Sequence, residues 1–216
     1  MFPIRNVIKM VSREVLRFKE PIVTRISRER RDPFRILIST MLSLRTKDDC
    51  TASASDRLFA LARTPQDMLK IPERLIAKTI YPVGFYNTKA KHIRQICAIL
   101  VEKYKGGVPA DLERLLELPG VGRKTANLVI TLGFGIPGIC VDTHVHRITN
   151  RWGYIRTKTP DETEFALRKI LPRQFWIIIN DLLVTYGQNI CTPVSPTCSE
   201  CRIEKWCARV SVQRHR

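Results

Sequence analysis

Two groups of residues in this chain have the types and spacing to do chemistry. The first is Cys191, Cys198, Cys201 and Cys207, spaced C-x6-C-x2-C-x5-C. Four thiolates in one short loop can satisfy a tetrahedral metal ion or an iron–sulfur cube, and spacing alone leaves zinc and iron–sulfur both open. Because four of the seven cysteines crowd into residues 191–207, a disulfide scaffold is not the reading. Cys50, Cys97 and Cys140 stand singly in apolar or helical surroundings and are expected to be small core residues. The second group is Leu118-Pro119-Gly120-Val121-Gly122-Arg123-Lys124-Thr125-Ala126-Asn127, with Asp142 close behind. Pro119 fits poorly in a helix interior, and the two glycines permit the positive φ of a tight reversal. A turn of this kind points backbone N–H groups outward at a helix start, where a phosphate is welcome. Taken singly, Lys124 reads as a solvated lysine and Asp142 as a helix cap.

The flanking elements read as helices. Leu112, Leu115 and Leu116 have helical spacing before the turn, and Arg123 to Phe134 resumes it after, closed by Gly135 and Pro137. Upstream, Ile4, Ile8, Val11 and Val15 mark a helix within Pro3 to Phe18. Asp32-Pro33 then supplies an N-cap and a proline at the first helical position. Phe34, Leu37, Ile38, Met41 and Leu42 form a buried stripe, and Thr46 is expected to cap the helix that follows. Thr64-Pro65 and Ile71-Pro72 start short helices, and Val83 to Asn87 is a loop before a helix with Ala90, Ile93, Cys97 and Leu100 inward. Asp142 is expected to cap a helix running to about Trp152. Two more helices follow, one after Pro160-Asp161 and one around Phe175 to Tyr186. No stretch reads as a strand, so the fold class is all-α.

Bulk composition narrows the partner. The net charge is +17, and residues 1–47 alone hold twelve Lys or Arg against four Asp or Glu, including the basic run Arg25 to Arg31. Such an excess favours a polyanion. The 44% apolar content suffices for a core, whether in one domain or two small lobes. No apolar run approaches the roughly 20 residues that span a bilayer, and Met1-Phe2-Pro3-Ile4-Arg5 lacks the apolar segment of a secretory signal. The expectation is a soluble, cytoplasmic protein with no membrane partner.

The run LPGVGRKTANLVI (118–130) followed by VDTHVHRITNR (141–151) resembles the helix-hairpin-helix DNA glycosylases, specifically the endonuclease III branch. The resemblance covers nearly the whole chain and includes the cysteine spacing, which in that branch holds a [4Fe–4S] cluster. It implies two helical lobes with a DNA cleft between them: residues 26–136 around the hairpin, and residues 1–25 with 137–216 carrying the cluster loop 191–207. It makes Lys124 the nucleophile and Asp142 its carboxylate partner. A lysine amine attacks C1′, displaces the base and forms a Schiff base, after which loss of a C2′ proton expels the 3′ phosphate. The amine must be neutral to attack, whereas an unperturbed lysine has a pKa near ~10.4. The carboxylate stabilises positive charge developing on the sugar.

The same resemblance assigns lesion reading to two loops, Leu44-Arg45 and Gly84-Phe85-Tyr86, with Phe85 as the apolar wedge. Arg45 stands where the branch often has glutamine, and Thr192 to Thr197 replaces a loop that is often basic; Arg202, Lys205 and Arg209 are the nearby substitutes. Backbone amides of Gly120, Val121 and Gly122 are the expected phosphate ligands. His144 and Arg147 steady Asp142 or meet phosphate, and His146 faces solvent or packs. The expected partner is double-stranded DNA with damaged pyrimidines or abasic sites, and a monomer is sufficient. Two alternatives remain. A monofunctional thymine or uracil mismatch glycosylase would share the fold, although such relatives usually carry Ser or Tyr in place of Lys124. A non-enzymatic DNA-binding protein would use the hairpin and charge alone.

Overall fold

Capping and apolar spacing set most helix boundaries in the computed structural model, which describes residues 2–29 and 31–216. In chain order the α-helices are α1 (Ile4–Val15), α2 (Ile22–Glu29), α3 (Pro33–Ser43), α4 (Asp48–Leu61), α5 (Pro65–Lys70) and α6 (Glu73–Ile80). They continue with α7 (Tyr86–Tyr104), α8 (Leu112–Leu116), α9 (Arg123–Leu128), α10 (Thr143–Arg151), α11 (Pro160–Ile170) and α12 (Ile179–Asn189). Among the described residues there is no strand, and the all-α reading holds. Asp32, Thr64, Asp111, Asp142 and Thr159 each accept backbone N–H groups of the helix they start. Each such cap is worth about 1 kcal/mol.

The chain divides into two units, Ile22–Ile136 and Met1–Pro21 with Pro137–Arg216. In the first, the α3 stripe of Phe34, Leu37, Ile38, Met41 and Leu42 is buried together with Leu58, Met68, Ile76 and Ile80. The long α7 packs along α5 and α6 and adds Ala90, Ile93, Cys97 and Leu100 to that core. Full burial of a large aliphatic side chain contributes about 1.5–3 kcal/mol, so this stripe alone outweighs any cap. In the second unit, Val7, Ile8 and Val11 of α1 share a core with Val145, Ile148, Trp152, Leu167, Leu183 and Tyr186. Glu14, 4% exposed, pairs with Arg17 and, at 2.7 Å, with Nε of Arg202, which ties α1 to the cysteine loop.

Several local expectations need correction. The basic run from Arg25 forms part of α2, because Ile22, Val23 and Ile26 bury one face of it; Arg30 lies outside the described residues. Thr46 does not cap α4, whose N-cap Lys47 makes no side-chain cap bond. Its hydroxyl instead accepts the Gly84 N–H at 3.2 Å. The helix begun at Arg123 does not stay α to Phe134: Val129–Gly133 is a π-helical turn. There the Thr131 hydroxyl donates back to the carbonyls of Asn127 and Leu128, the kind of bond that bends a helix. Cys97 and Cys140 are buried as expected, and burial pushes the Cys97 thiol up to about 12, but Cys50 is only half-buried.

Candidate active site and cysteine-lined cavity

The hairpin is closed by its own backbone. The Leu118 N–H donates to Leu115 O, and the Val121 N–H donates to Leu118 O at 3.1 Å. Val121 therefore spends its amide inside the turn, leaving Gly120 and Gly122 of the three expected phosphate ligands. Gly120 sits at φ +76°, and a Cβ there would lie 2.5 Å from His92 Nδ1, so glycine is required twice over. Gly122 is the N-cap of α9 and makes no side-chain cap bond; a Cβ there would meet nothing. This end of the helix is open. Lys124 follows in the first turn, half-buried.

The two expected lesion-reading loops lie in the same unit and are joined. Arg45 and Phe85 both take left-handed backbone, with φ of 53° and 58°. The Arg45 guanidinium stacks over the Phe85 ring at 5.5 Å, and Phe85 is 61% exposed. Beneath them, Lys89 Nζ donates to Leu42 O at 2.8 Å, Leu44 O at 2.6 Å and Thr46 Oγ1 at 3.3 Å. Arg45, Phe85, Lys89, His92 and Gly120 line one cavity.

The other unit carries Asp142 at the start of α10. Its Oδ1 accepts the N–H groups of His144 and Val145, both at 2.9 Å, and the residue is 9% exposed. The Nη2 of Arg147, one and a half turns on, reaches His144 Nδ1, Gly187 O and, at 2.8 Å, Cys191 O. His146 Nδ1 meets Thr163 Oγ1 at 2.7 Å, so it packs against α11. Arg151 lies a further turn along. It donates to Cys191 Sγ at 3.5 Å, Thr192 O at 2.7 Å and Pro193 O at 2.5 Å. The helix that carries Asp142 thus also clamps the first cysteine of the loop.

Residues 38–173 match the HhH-GPD superfamily base excision DNA repair protein family. Endonuclease III of Thermotoga maritima is 51% identical over 86% of this chain and 88% of its own length. The chain belongs to the endonuclease III family. A solved structure of a trapped endonuclease III–DNA covalent intermediate, an estranged-adenine complex, superposes with a TM-score of 0.85 at 36% identity, covering 95% of this chain and 94% of that one. A thermostable thymine-DNA glycosylase gives a TM-score of 0.78 at 29% identity, over 85% and 86% of the two chains. Longer Arabidopsis thaliana relatives also match, and the chain spans about half of their length.

Endonuclease III proteins bind a [4Fe–4S] cluster, and the cysteine loop here has donors suited to one. Cys191, Cys198, Cys201 and Cys207 line a single cavity walled by Trp152, Tyr186 and Ile190. The Tyr186 hydroxyl stands 3.0 Å from Cys201 Sγ, and Arg151 adds a cationic donor at Cys191. Burial raises the pKa of the Cys198, Cys201 and Cys207 thiols. Protons must therefore leave as a metal group binds, which couples binding to pH. Among the described residues no three His, Cys, Asp or Glu are grouped to hold a single ion. Of the basic substitutes near this loop, Arg202 pairs with Glu14, Arg209 pairs with Glu204, and Lys205 lies over the Trp206 ring at 4.3 Å.

Sequence reasoning missed Lys89, His92, Arg151 and Tyr186. No motif marks Lys89, whose acceptors lie 43 to 47 residues away. Arg151 ends the VDTHVHRITNR run, and its i, i+4 spacing from Arg147, which puts both on one helix face, was the available signal.

Proposed function

We propose that this chain is a bifunctional DNA glycosylase and abasic-site lyase of base-excision repair, acting on oxidised pyrimidines in duplex DNA. The observation that carries this reading is a lysine, Lys124, directly after the hairpin in a chain with the fold of a trapped endonuclease III–DNA covalent intermediate. The target nucleotide leaves the stack, Arg45 and Phe85 enter the gap, and the amides of Gly120 and Gly122 hold phosphate. The neutral Lys124 amine attacks C1′; the C1′–N bond breaks and the base leaves with a proton. Ring opening gives an iminium between Nζ and C1′, loss of a C2′ proton breaks the C3′–O bond, and water then frees the lysine. Asp142, held in one orientation by the two N–H groups on its Oδ1, stabilises the cationic sugar.

Cys191, Cys198, Cys201 and Cys207 would hold the [4Fe–4S] cluster, which supplies a cross-link that fastens the C-terminal loop. Arg151, Arg147 and Tyr186 shape that loop for it. Among the described residues no helix is long and apolar enough to cross a membrane, and the substrate locates the work at intracellular DNA.

The likeness to a thymine-DNA glycosylase supports a second reading, monofunctional removal of mismatched thymine or uracil. Base release and strand nicking are to be followed together on a duplex carrying one oxidised pyrimidine. Concurrent release and nicking is expected. Release that leaves an intact, alkali-labile abasic site would favour the second reading.

A further inference from the structure

We infer that Lys89 is a positioning residue that locks the Arg45 loop and the Phe85 loop into one DNA-probing unit. The inference rests on the reading above, in which both loops meet DNA. Lys89 is 7% exposed, and an ammonium taken from water is costly unless its donors are all used. Its three acceptors are the carbonyls of Leu42 and Leu44 at the end of α3 and the Thr46 hydroxyl. A cation at a helix C-terminus is favoured there, but these oxygens also bracket Arg45 on both sides. Thr46 Oγ1 receives the Gly84 N–H as well, so the hydroxyl is shared by both loops. Gly84 completes the fit, because a Cβ on it would stand 2.7 Å from Arg45 O.

The consequence is that two residues with left-handed backbone, Arg45 and Phe85, are held with their side chains stacked. Neither conformation is favoured for a residue with a Cβ, and each persists because its neighbours over-determine it. One turn further along α7, His92 backs Gly120 of the hairpin. The first turns of α7 therefore set both probing loops and one phosphate-binding glycine within the same unit.

Lys89→Met keeps the aliphatic stem and removes the donors. Thr46→Val removes only the shared hydroxyl, and it carries the test if the first variant does not fold. In either variant, single-turnover excision of an oxidised pyrimidine is expected to fall about 10- to 100-fold, the cost of a displaced positioning group, while cleavage of a preformed abasic site changes little. A 2-aminopurine opposite the lesion should brighten when the wild type binds and stay dim with the variants. The inference is overturned if excision is unchanged, or if excision and abasic-site cleavage fall together in step with the folded fraction. Should the wild type neither excise nor nick, the function reading fails, and the fluorescence arm decides alone. A rise lost in Lys89→Met supports the positioning role, and an equal rise rejects it.

Discussion

Lys89 and Arg151 are equally buried, at 7% exposure, and each spends its donors bracing a loop from beneath. They differ in chemistry. Arg151 presents a rigid, planar fork, and it grips Cys191 Sγ and the carbonyls of Thr192 and Pro193. Lys89 is a compact charge on a flexible stem, and it gathers Leu42 O, Leu44 O and Thr46 Oγ1 around one point. The fixed clamp underlies the loop expected to hold four metal ligands at constant spacing. The titratable one underlies the loops expected to enter DNA. Bracing by a buried cation is common to both units, and the cation's shape sets how its donors are spread over the loop.

The largest effect is expected from Arg151→Ala. Two carbonyls and a sulfur lose a charged donor, and a hydrogen bond to a charged group contributes about 1.5–3 kcal/mol. Several kcal/mol of stability should disappear in a urea melt, with iron per chain falling alongside; Arg151→Lys should recover only part, because it lacks the fork. A smaller effect is expected from Gly120→Ala, where positive φ and the His92 ring oppose a Cβ. The loss should be about 1–3 kcal/mol, read as weaker binding to undamaged duplex and a lower melting temperature.

Asp142 separates capping from chemistry. Asparagine caps as well as aspartate, so Asp142→Asn should keep stability while Asp142→Ala loses about 1 kcal/mol, and both should excise poorly. Equal excision by Asp142→Asn and wild type would remove the carboxylate from the reaction.

The smallest effect is the one that distinguishes lysine from arginine. Burial pushes the Lys89 ammonium down to about 8, with Cys50 opposing this in part. Arg45 and His92 line the same cavity. An unfolded lysine keeps its proton to ~10.4, so between these values the unfolded chain binds more protons and Lys89's contribution to stability rises with pH. Its bracing role runs the opposite way, since a neutral amine has two N–H donors for three oxygens. Raising the pH from about 7 to about 9 should lower excision severalfold relative to abasic-site cleavage, with no loss of melting temperature from this group. In Lys89→Met that ratio should be flat.

Features that depend on neighbours in sequence were legible. Asp32-Pro33, Thr64-Pro65 and Asp142 announce helix starts because a cap acts over two or three residues, and the α3 stripe is legible because burial follows the helical period. Contacts that cross many residues were not. Thr46 has the look of a cap for α4, yet its hydroxyl is taken by Gly84, 38 residues on. The α2 segment reads as a basic run because Arg25 and Arg28 stand among the three apolar residues, Ile22, Val23 and Ile26, that bury its inner face. Val121 looks like a phosphate donor until the turn closes on its amide. The residues proposed to act, Lys124, Asp142 and the four cysteines, stand in motifs of the sequence; the cations bracing the loops emerge only from the folded chain.

Everything proposed for the chemistry depends on Lys124 forming the covalent bond. The direct measurement is borohydride trapping on duplex DNA carrying one oxidised pyrimidine, with wild type and Lys124→Ala side by side. A covalent protein–DNA band is expected for the wild type and none for Lys124→Ala, with DNA binding retained by both. A band of equal strength in Lys124→Ala, or base release by the wild type without any band, would contradict it.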